Sequence, residues 1–297
     1  MDKKIVVVTG AARGMGFAAA KKLAEKYHVI LTDVNQENLD QAVADLKKQG
    51  YSCEGRIVDV SDRAAVEEVA RYAAGLGEVQ AAVNIAGLSP SMTNAEKIWT
   101  VNAMGTIYMD KAFAKVMKSG ACICNFSSMS GDMLPDLQLM RSIHNIAGRD
   151  PERYQRIMLS VVSKLPGALG SSMAYMLSKN FVNYYAKLFS RELVDTGIRV
   201  VTISPGDFAT PMGMLEKDGA ATYIPNSSIR RFGEPEEMAF LVDAVVDERN
   251  SYLTGCEILN DGGVIASLQT SFPYFLKATV MAAVNQFHLK EKLPFLR

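Results

Sequence analysis

Apolar residues recur in two alternating rhythms along the first half of the chain. Short β-branched runs at 5–8, 29–32, 57–58, 79–83 and 121–126 read as strands. Longer amphipathic stretches at 18–26, 36–48, 63–74 and 95–117 read as helices. The rhythm resumes after residue 171, with a helix over 172–193, a strand over 198–203, a helix over 234–246 and a short strand over 257–259. Strands alternating with helices imply an α/β protein with a parallel sheet covered on both faces. Two segments break the pattern. Residues 132–170 carry Pro135, Pro151 and Pro166 and no strand signal, and read as an insertion with one or two short helices. Residues 264–297 follow the last strand as a C-terminal extension in which Leu276, Val280, Ala283, Val284 and Phe287 fall at helical spacing. The expected division is one domain over 1–263 and the extension over 264–297.

Composition narrows the classes. With 297 residues and 48% hydrophobic positions the chain can bury a sizeable core. Its 32 basic and 32 acidic residues leave no excess to neutralise phosphates, so nucleic acid is not an expected partner. Four cysteines make no disulfide framework, and their spacing with His28, His144 and His288 gives no metal set. The glycine-rich stretch beginning at Gly10 leaves no room for the apolar core of a signal peptide, so a cytoplasmic setting is expected.

The first strand runs into Thr9-Gly10-Ala11-Ala12-Arg13-Gly14-Met15-Gly16, and a helix follows. Glycines there allow a tight turn and close approach of backbone to phosphate, and the helix N terminus offers free N–H groups to a pyrophosphate. Asp33 closes the second strand, where a carboxylate can accept both ribose hydroxyls of adenosine and repel a 2′-phosphate. NAD is favoured over NADP on that ground. Arg13 argues the other way, as a cation that can hold a 2′-phosphate. Farther on, Tyr175 and Lys179 stand one helical turn apart on one face. An ammonium there stabilises a phenolate and is expected to lower the tyrosine pKa, making Tyr175 a general acid/base.

These motifs, with Asp59-Val60, Asn84-Ile85-Ala86-Gly87, Val101-Asn102, Ser127-Ser128-Met129-Ser130-Gly131, Pro205-Gly206 with Thr210, and Asp261-Gly262-Gly263, resemble the short-chain dehydrogenase/reductase family over residues 4–263. The resemblance implies a single Rossmann-type doubly wound sheet and an alcohol/ketone oxidoreductase. It implies catalytic roles for Asn102, Ser128, Tyr175 and Lys179, with Ser128 favoured over Ser127 because it stands three residues before Gly131. It implies a nucleotide site built from Gly10, Arg13, Gly14, Met15, Gly16, Asp33, Asp59, Val60, Asn84, Ala86, Gly87, Pro205, Gly206 and Thr210, together with Tyr175 and Lys179. It also implies a homo-oligomer, dimer or tetramer.

The chain departs from the family in two lengths. Ser128 and Tyr175 are unusually far apart because of the insertion before the tyrosine helix, and Asn84 and Asn102 are unusually close. Both changes resemble the bacterial 3α-hydroxysteroid dehydrogenase/carbonyl reductase subgroup. A hydroxysteroid or bile acid is therefore the first expected substrate. A 3-oxoacyl thioester, or a catalytically silent nucleotide-binding regulator, is the alternative. The insertion's apolar residues, among them Met133, Leu134, Met140, Ile143 and Met158, suit a substrate roof, an oligomer contact or scaffold packing equally. Met212, Met214, Leu215 and Tyr223 give the segment 207–233 an apolar character expected of a substrate loop. His144 is expected in solvent and Trp99 in packing. Phe272, Tyr274, Phe275, Phe287 and Phe295 point to a subunit contact or an active-site cover for the tail more than to a membrane anchor.

Overall fold

The computed structural model describes residues 4–134 and 138–270. Seven strands, β1 (Ile5–Thr9), β2 (His28–Asp33), β3 (Cys53–Ile57), β4 (Val79–Asn84), β5 (Cys122–Phe126), β6 (Arg199–Pro205) and β7 (Cys256–Asn260), form one parallel sheet. Their order is β3-β2-β1-β4-β5-β6-β7. The helices between them are α1 (Gly14–Ala24), α2 (Gln36–Lys48), α3 (Arg63–Leu76), α4 (Ala95–Trp99) and α5 (Gly105–Ala114). The insertion forms α6 (Gln138–His144), α7 (Ile146–Arg149) and α8 (Pro151–Val162), ahead of the long α9 (Gly167–Glu192). After β6 come α10 (Pro211–Leu215), α11 (Lys217–Tyr223), α12 (Pro235–Val246) and α13 (Val264–Thr270). This is the doubly wound Rossmann-type α/β fold.

Successive side chains of a strand point to opposite faces. Val6 and Val8 accordingly enter the layer under α1, α2 and α12, and Ile5 and Val7 the layer under α3, α5 and α9. Both faces of the central strands are buried, so these strands read as continuous apolar runs. Cys122 and Cys124 share the first layer as packing residues, and Trp99 is fully buried in the second. The strand order reverses between β1 and β4, which opens a crevice at the carboxyl ends of the strands. No described helix is long and apolar enough to cross a membrane.

Four expectations need correction. The third strand is Cys53–Ile57, not 57–58, because this edge strand is mostly polar and its middle residue, Gly55, admits Leu39 and Val43 of α2. The first helix starts at Gly14 rather than at residue 18, since the glycine turn supplies its opening residues. The helix expected over 95–117 is interrupted by a π-helical turn, Thr100–Met104, which holds Asn102. The insertion carries three short helices, and it packs on the scaffold. Tyr154 of α8 is fully buried, with its ring 4.7 Å from Phe181 and 5.6 Å from Trp99. Leu134, Met140, Ile143 and Met158 join the same core layer. Of the tail, residues 264–270 form α13, and the helical spacing and aromatics expected farther on lie outside the described residues.

Candidate active site

The nucleotide end of the crevice is built by glycines. The chain leaves β1 through Gly10 (φ +62°) and Gly14 (φ +57°), a conformation side chains disfavour. A Cβ on Gly16 would lie 2.0 Å from the Gly10 carbonyl oxygen, and one on Gly10 2.9 Å from Ala86 Cα. Arg13 caps α1 without any side-chain hydrogen bond, so the first-turn amides keep their capacity for an anion. Asp33 Oδ2 accepts from the Ala12 amide at 3.2 Å, while Oδ1 accepts from Val34 and Asn35 amides at 2.8 and 3.1 Å. That fixes a carboxylate beside the turn, and Arg13 is exposed next to it. A turn admitting only glycine and an uncapped helix N terminus fit a dinucleotide.

Other expected contacts separate. Asp59 lies at the end of the neighbouring loop, its carboxylate bonded to Ser61 and 3.1 Å from Lys97 Nζ. Burial raises its pKa, but Ser61 and Lys97 outweigh that and hold it below the usual value. Val60 turns its side chain into the core against Gly105. Asn84 is also buried, accepting from Thr9 Oγ1 at 3.0 Å and donating to Thr106 Oγ1 at 3.1 Å. Thr9 Oγ1 in turn accepts from the Ala86 amide, so Asn84 braces the loop rather than facing the crevice with its side chain.

The residues expected to react meet where β5, β6 and α9 converge. Ser128, Tyr175, Lys179, Met15, Gly87, Pro205, Gly206 and Thr210 all line one cavity of about 550 Å³. Ser128 hydrogen-bonds the Tyr175 side chain, whereas Ser127 donates to the Lys179 carbonyl at 2.7 Å. A Cβ on Gly131 would lie 2.8 Å from the Lys179 carbonyl carbon, so this glycine lets the serine turn dock on α9. Lys179 Nζ donates to the Phe126 carbonyl at 2.9 Å and lies 5.8 Å from the Tyr175 ring centroid. Asn102 clamps the loop after β4, its Oδ1 accepting from the Leu88 amide at 2.8 Å and its Nδ2 donating to the Leu88 carbonyl at 3.0 Å.

The expected lowering of the Tyr175 pKa by Lys179 is not what these surroundings give. Burial raises the phenol first, and the Glu216 and Asp207 carboxylates add to it, against the lowering contact of Ser128. Burial also brings Lys179 down to about 8, so its own charge is disfavoured.

Residues 4–139 match the family model described as short chain dehydrogenase, and 151–265 the one described as Enoyl-(Acyl carrier protein) reductase. A short-chain dehydrogenase/reductase of Alternaria brassicicola is 30% identical, covering 90% of this chain and 98% of that protein. The chain is a short-chain dehydrogenase/reductase. A diacetyl reductase [(S)-acetoin forming] of Staphylococcus epidermidis is 28% identical over 88% of this chain and 98% of its own length. Among solved structures, a dehydrogenase/reductase from Sinorhizobium meliloti superposes with a TM-score of 0.71 at 24% identity, over 89% of this chain and 96% of that one.

Within this short-chain dehydrogenase/reductase several residues at or behind the cavity carried no motif. Glu216 Oε1 accepts from the Ser91 hydroxyl at 2.6 Å and amide at 3.2 Å, tying the 207–233 loop to the loop after β4. Of the apolar residues expected in that loop, Met212, Leu215 and Tyr223 line the cavity, and Met214 is exposed. His144, expected in solvent, is 1% exposed. The rings of Tyr154, Phe181 and Tyr184 surround it. Tyr154 Oη lies 2.9 Å from Nδ1 and Asn180 Oδ1 3.3 Å from Nε2, while Asn180 Nδ2 donates to the Gly131 carbonyl at 2.9 Å. One neutral tautomer satisfies the whole run: Tyr154 donates to Nδ1, and Nε2–H donates to Asn180. The insertion thus reaches the turn that carries Ser128.

Proposed function

We propose that this oxidoreductase interconverts a secondary alcohol and a ketone with NAD(H). The observation that carries the reading is the convergence of Ser128, Tyr175 and Lys179 on one cavity beside the glycine turn. The nicotinamide supplies the hydride acceptor or donor when bound. Gly10, Gly14 and Gly16 would cradle its pyrophosphate, with Met15, Ala86 and Gly87 along the adenosine side. Pro205, Gly206 and Thr210 would line the nicotinamide end. Asp59, Val60 and Asn84 would then shape the adenosine pocket through their loops.

Ser128 holds the substrate oxygen by a hydroxyl hydrogen bond, and Tyr175 gives that oxygen its proton or takes it away. Lys179 binds the ribose and supplies positive charge as the phenolate forms. Asn102 holds the Leu88 loop against α9 and so keeps the proton path in register. Asp33 supports NAD, because a fixed carboxylate repels a 2′-phosphate.

The cavity's Met133, Met176, Met212 and Leu215 favour a bulky apolar substrate, a hydroxysteroid first. The test is reduced-nicotinamide absorbance with NAD and NADP in parallel, against 3-, 7-, 12- and 17-hydroxysteroids and simple secondary alcohols. Turnover of a steroid position with NAD supports the reading. Turnover with NADP alone would remove the Asp33 argument, and turnover of small alcohols alone would remove the steroid.

A further inference from the structure

The cavity carries a charge pattern that the family roles leave unused. Among the described residues two carboxylates, Asp207 and Glu216, lie in its wall, and Lys179 is the only Lys or Arg that lines it. Lys179 already donates to the Phe126 carbonyl, and the reading above assigns it to the cofactor ribose. Glu216 is held by Ser91 through Oε1. Asp207 differs. Its Oδ2 is buried and has no hydrogen-bond partner. An unpaired buried acceptor is costly, and a carboxylate more so.

The backbone around Asp207 is fixed on both sides. A Cβ on Gly206 would lie 2.6 Å from Asp261 Cα, so that strand end admits only glycine. On the other side the Gly233 amide donates to the Asp207 carbonyl at 2.9 Å, and a Cβ on Gly233 would lie 2.6 Å from the Phe208 ring. Asp261, a further carboxylate acting on Asp207, is occupied by the Gly263 and Ile265 amides at 2.8 and 2.7 Å. The Asp207 carboxyl therefore sits at a set place in the cavity wall with negative neighbours, its Oδ2 closed off and no side-chain donor to it among the described residues.

We propose that Asp207 is a specificity residue that accepts a hydrogen bond from a second donor on the substrate, a hydroxyl or an ammonium, and that the cavity turns away anionic substrates. This rests on the alcohol/ketone reading and narrows it. Neutral polyhydroxylated or amino alcohols are taken, and carboxylate-bearing bile acids and acyl thioesters of anionic carriers are refused. Burial first, then Glu216 and Asp261, push the Asp207 carboxyl up to about 6, so it is mostly ionised at neutral pH and still ready for a donor.

The experiment compares cyclohexanol, trans-1,2-cyclohexanediol, trans-2-aminocyclohexanol and trans-2-hydroxycyclohexanecarboxylate, which differ only in the added group. Binding to the full-length enzyme with NADH is measured by calorimetry, and turnover with NAD by absorbance, for wild type, Asp207→Asn and Asp207→Ala. The proposal expects the diol or the amino alcohol to bind about tenfold to a hundredfold more tightly than cyclohexanol, and the carboxylate more weakly than cyclohexanol. Hydroxyl and ammonium are told apart by Asp207→Asn, which keeps an acceptor for the diol but loses the charge that favours the amine. Asp207→Ala should reduce either preference to under about threefold and relieve the exclusion of the carboxylate. Equal binding of all four compounds to wild type, or a preference that survives Asp207→Ala, overturns the proposal. Failure of every alcohol to turn over, with the binding preference intact, counts instead against the alcohol/ketone reading.

Discussion

Replacing His144 with Phe tests the account of the insertion through stability. Both ring nitrogens of His144 are engaged inside the core, by Tyr154 and Asn180. Burial is the larger influence on the imidazole and holds it down at about 4, against an ordinary value of 6.5, with the Asn180 contact pulling the other way. Above pH 6.5 neither the folded nor the unfolded chain protonates this group. Between 6.5 and about 4 the unfolded chain binds the proton and the folded one does not, so stability falls as the pH falls. Below about 4 both bind it, and the loss stops. The gap corresponds to roughly 3 kcal/mol, spread at about 1.4 kcal/mol per pH unit. Phe at this position removes that titration. It also leaves the Tyr154 hydroxyl and the Asn180 carbonyl oxygen buried without partners, each costing about 1–3 kcal/mol. The variant should be less stable by about 2–4 kcal/mol at pH 7.5, and the two stability curves should converge toward pH 4.5. Urea unfolding at half-unit steps from pH 4.5 to 8 reads this directly. Asp132 and Asp207 titrate in the same window but are common to both proteins, so they cancel in the difference. Parallel curves across that range would refute the buried, neutral imidazole.

Gly131→Ala should lower kcat by about tenfold or more with nucleotide affinity unchanged, because the new Cβ displaces the serine turn from α9; kinetics beside fluorescence titration with NADH checks it. Gly16→Ala should weaken NADH binding by more than about tenfold in the same titration, since its Cβ meets the Gly10 carbonyl. In the free enzyme Tyr175 is raised above its ordinary value, so kcat/KM for alcohol oxidation should still be rising at pH 9, and Asp207→Asn should shift that rise to lower pH by removing a negative neighbour. Glu216→Gln keeps the loop's shape but weakens its tie to Ser91, and it should raise KM by several-fold with a smaller change in kcat.

The candidate site could be picked out in the sequence because it is written in residues that alternatives cannot replace. The turn at Gly10, Gly14 and Gly16 tolerates no Cβ, and Tyr175 and Lys179 need only one helical turn to share a face. The same holds for the sheet, whose central strands are buried on both faces and so read as unbroken apolar runs. What escaped was set by contacts remote in the chain. His144 stands among mixed neighbours in sequence, and its packing against Tyr154, Phe181 and Tyr184 makes its place an interior one. The π-helical turn at Asn102 leaves no mark, because a single extra residue per turn does not disturb the apolar spacing around it. Asp207 and Glu216 look like ordinary loop charges until the fold brings them into the wall of the cavity that holds Tyr175. The Tyr175 pKa followed the same lesson: spacing put Lys179 nearby, but burial and two carboxylates from another loop decide the direction.

The central claim is that Tyr175 exchanges the proton while the nucleotide is held elsewhere. Tyr175→Phe removes one hydroxyl from the cavity and leaves the glycine turn and Asp33 untouched. NADH titration and steady-state turnover of the best secondary alcohol, measured on the same preparation, separate the two functions. The account predicts NADH affinity within about threefold of wild type and turnover reduced by about a hundredfold or more. Turnover close to wild type with normal NADH binding would contradict it.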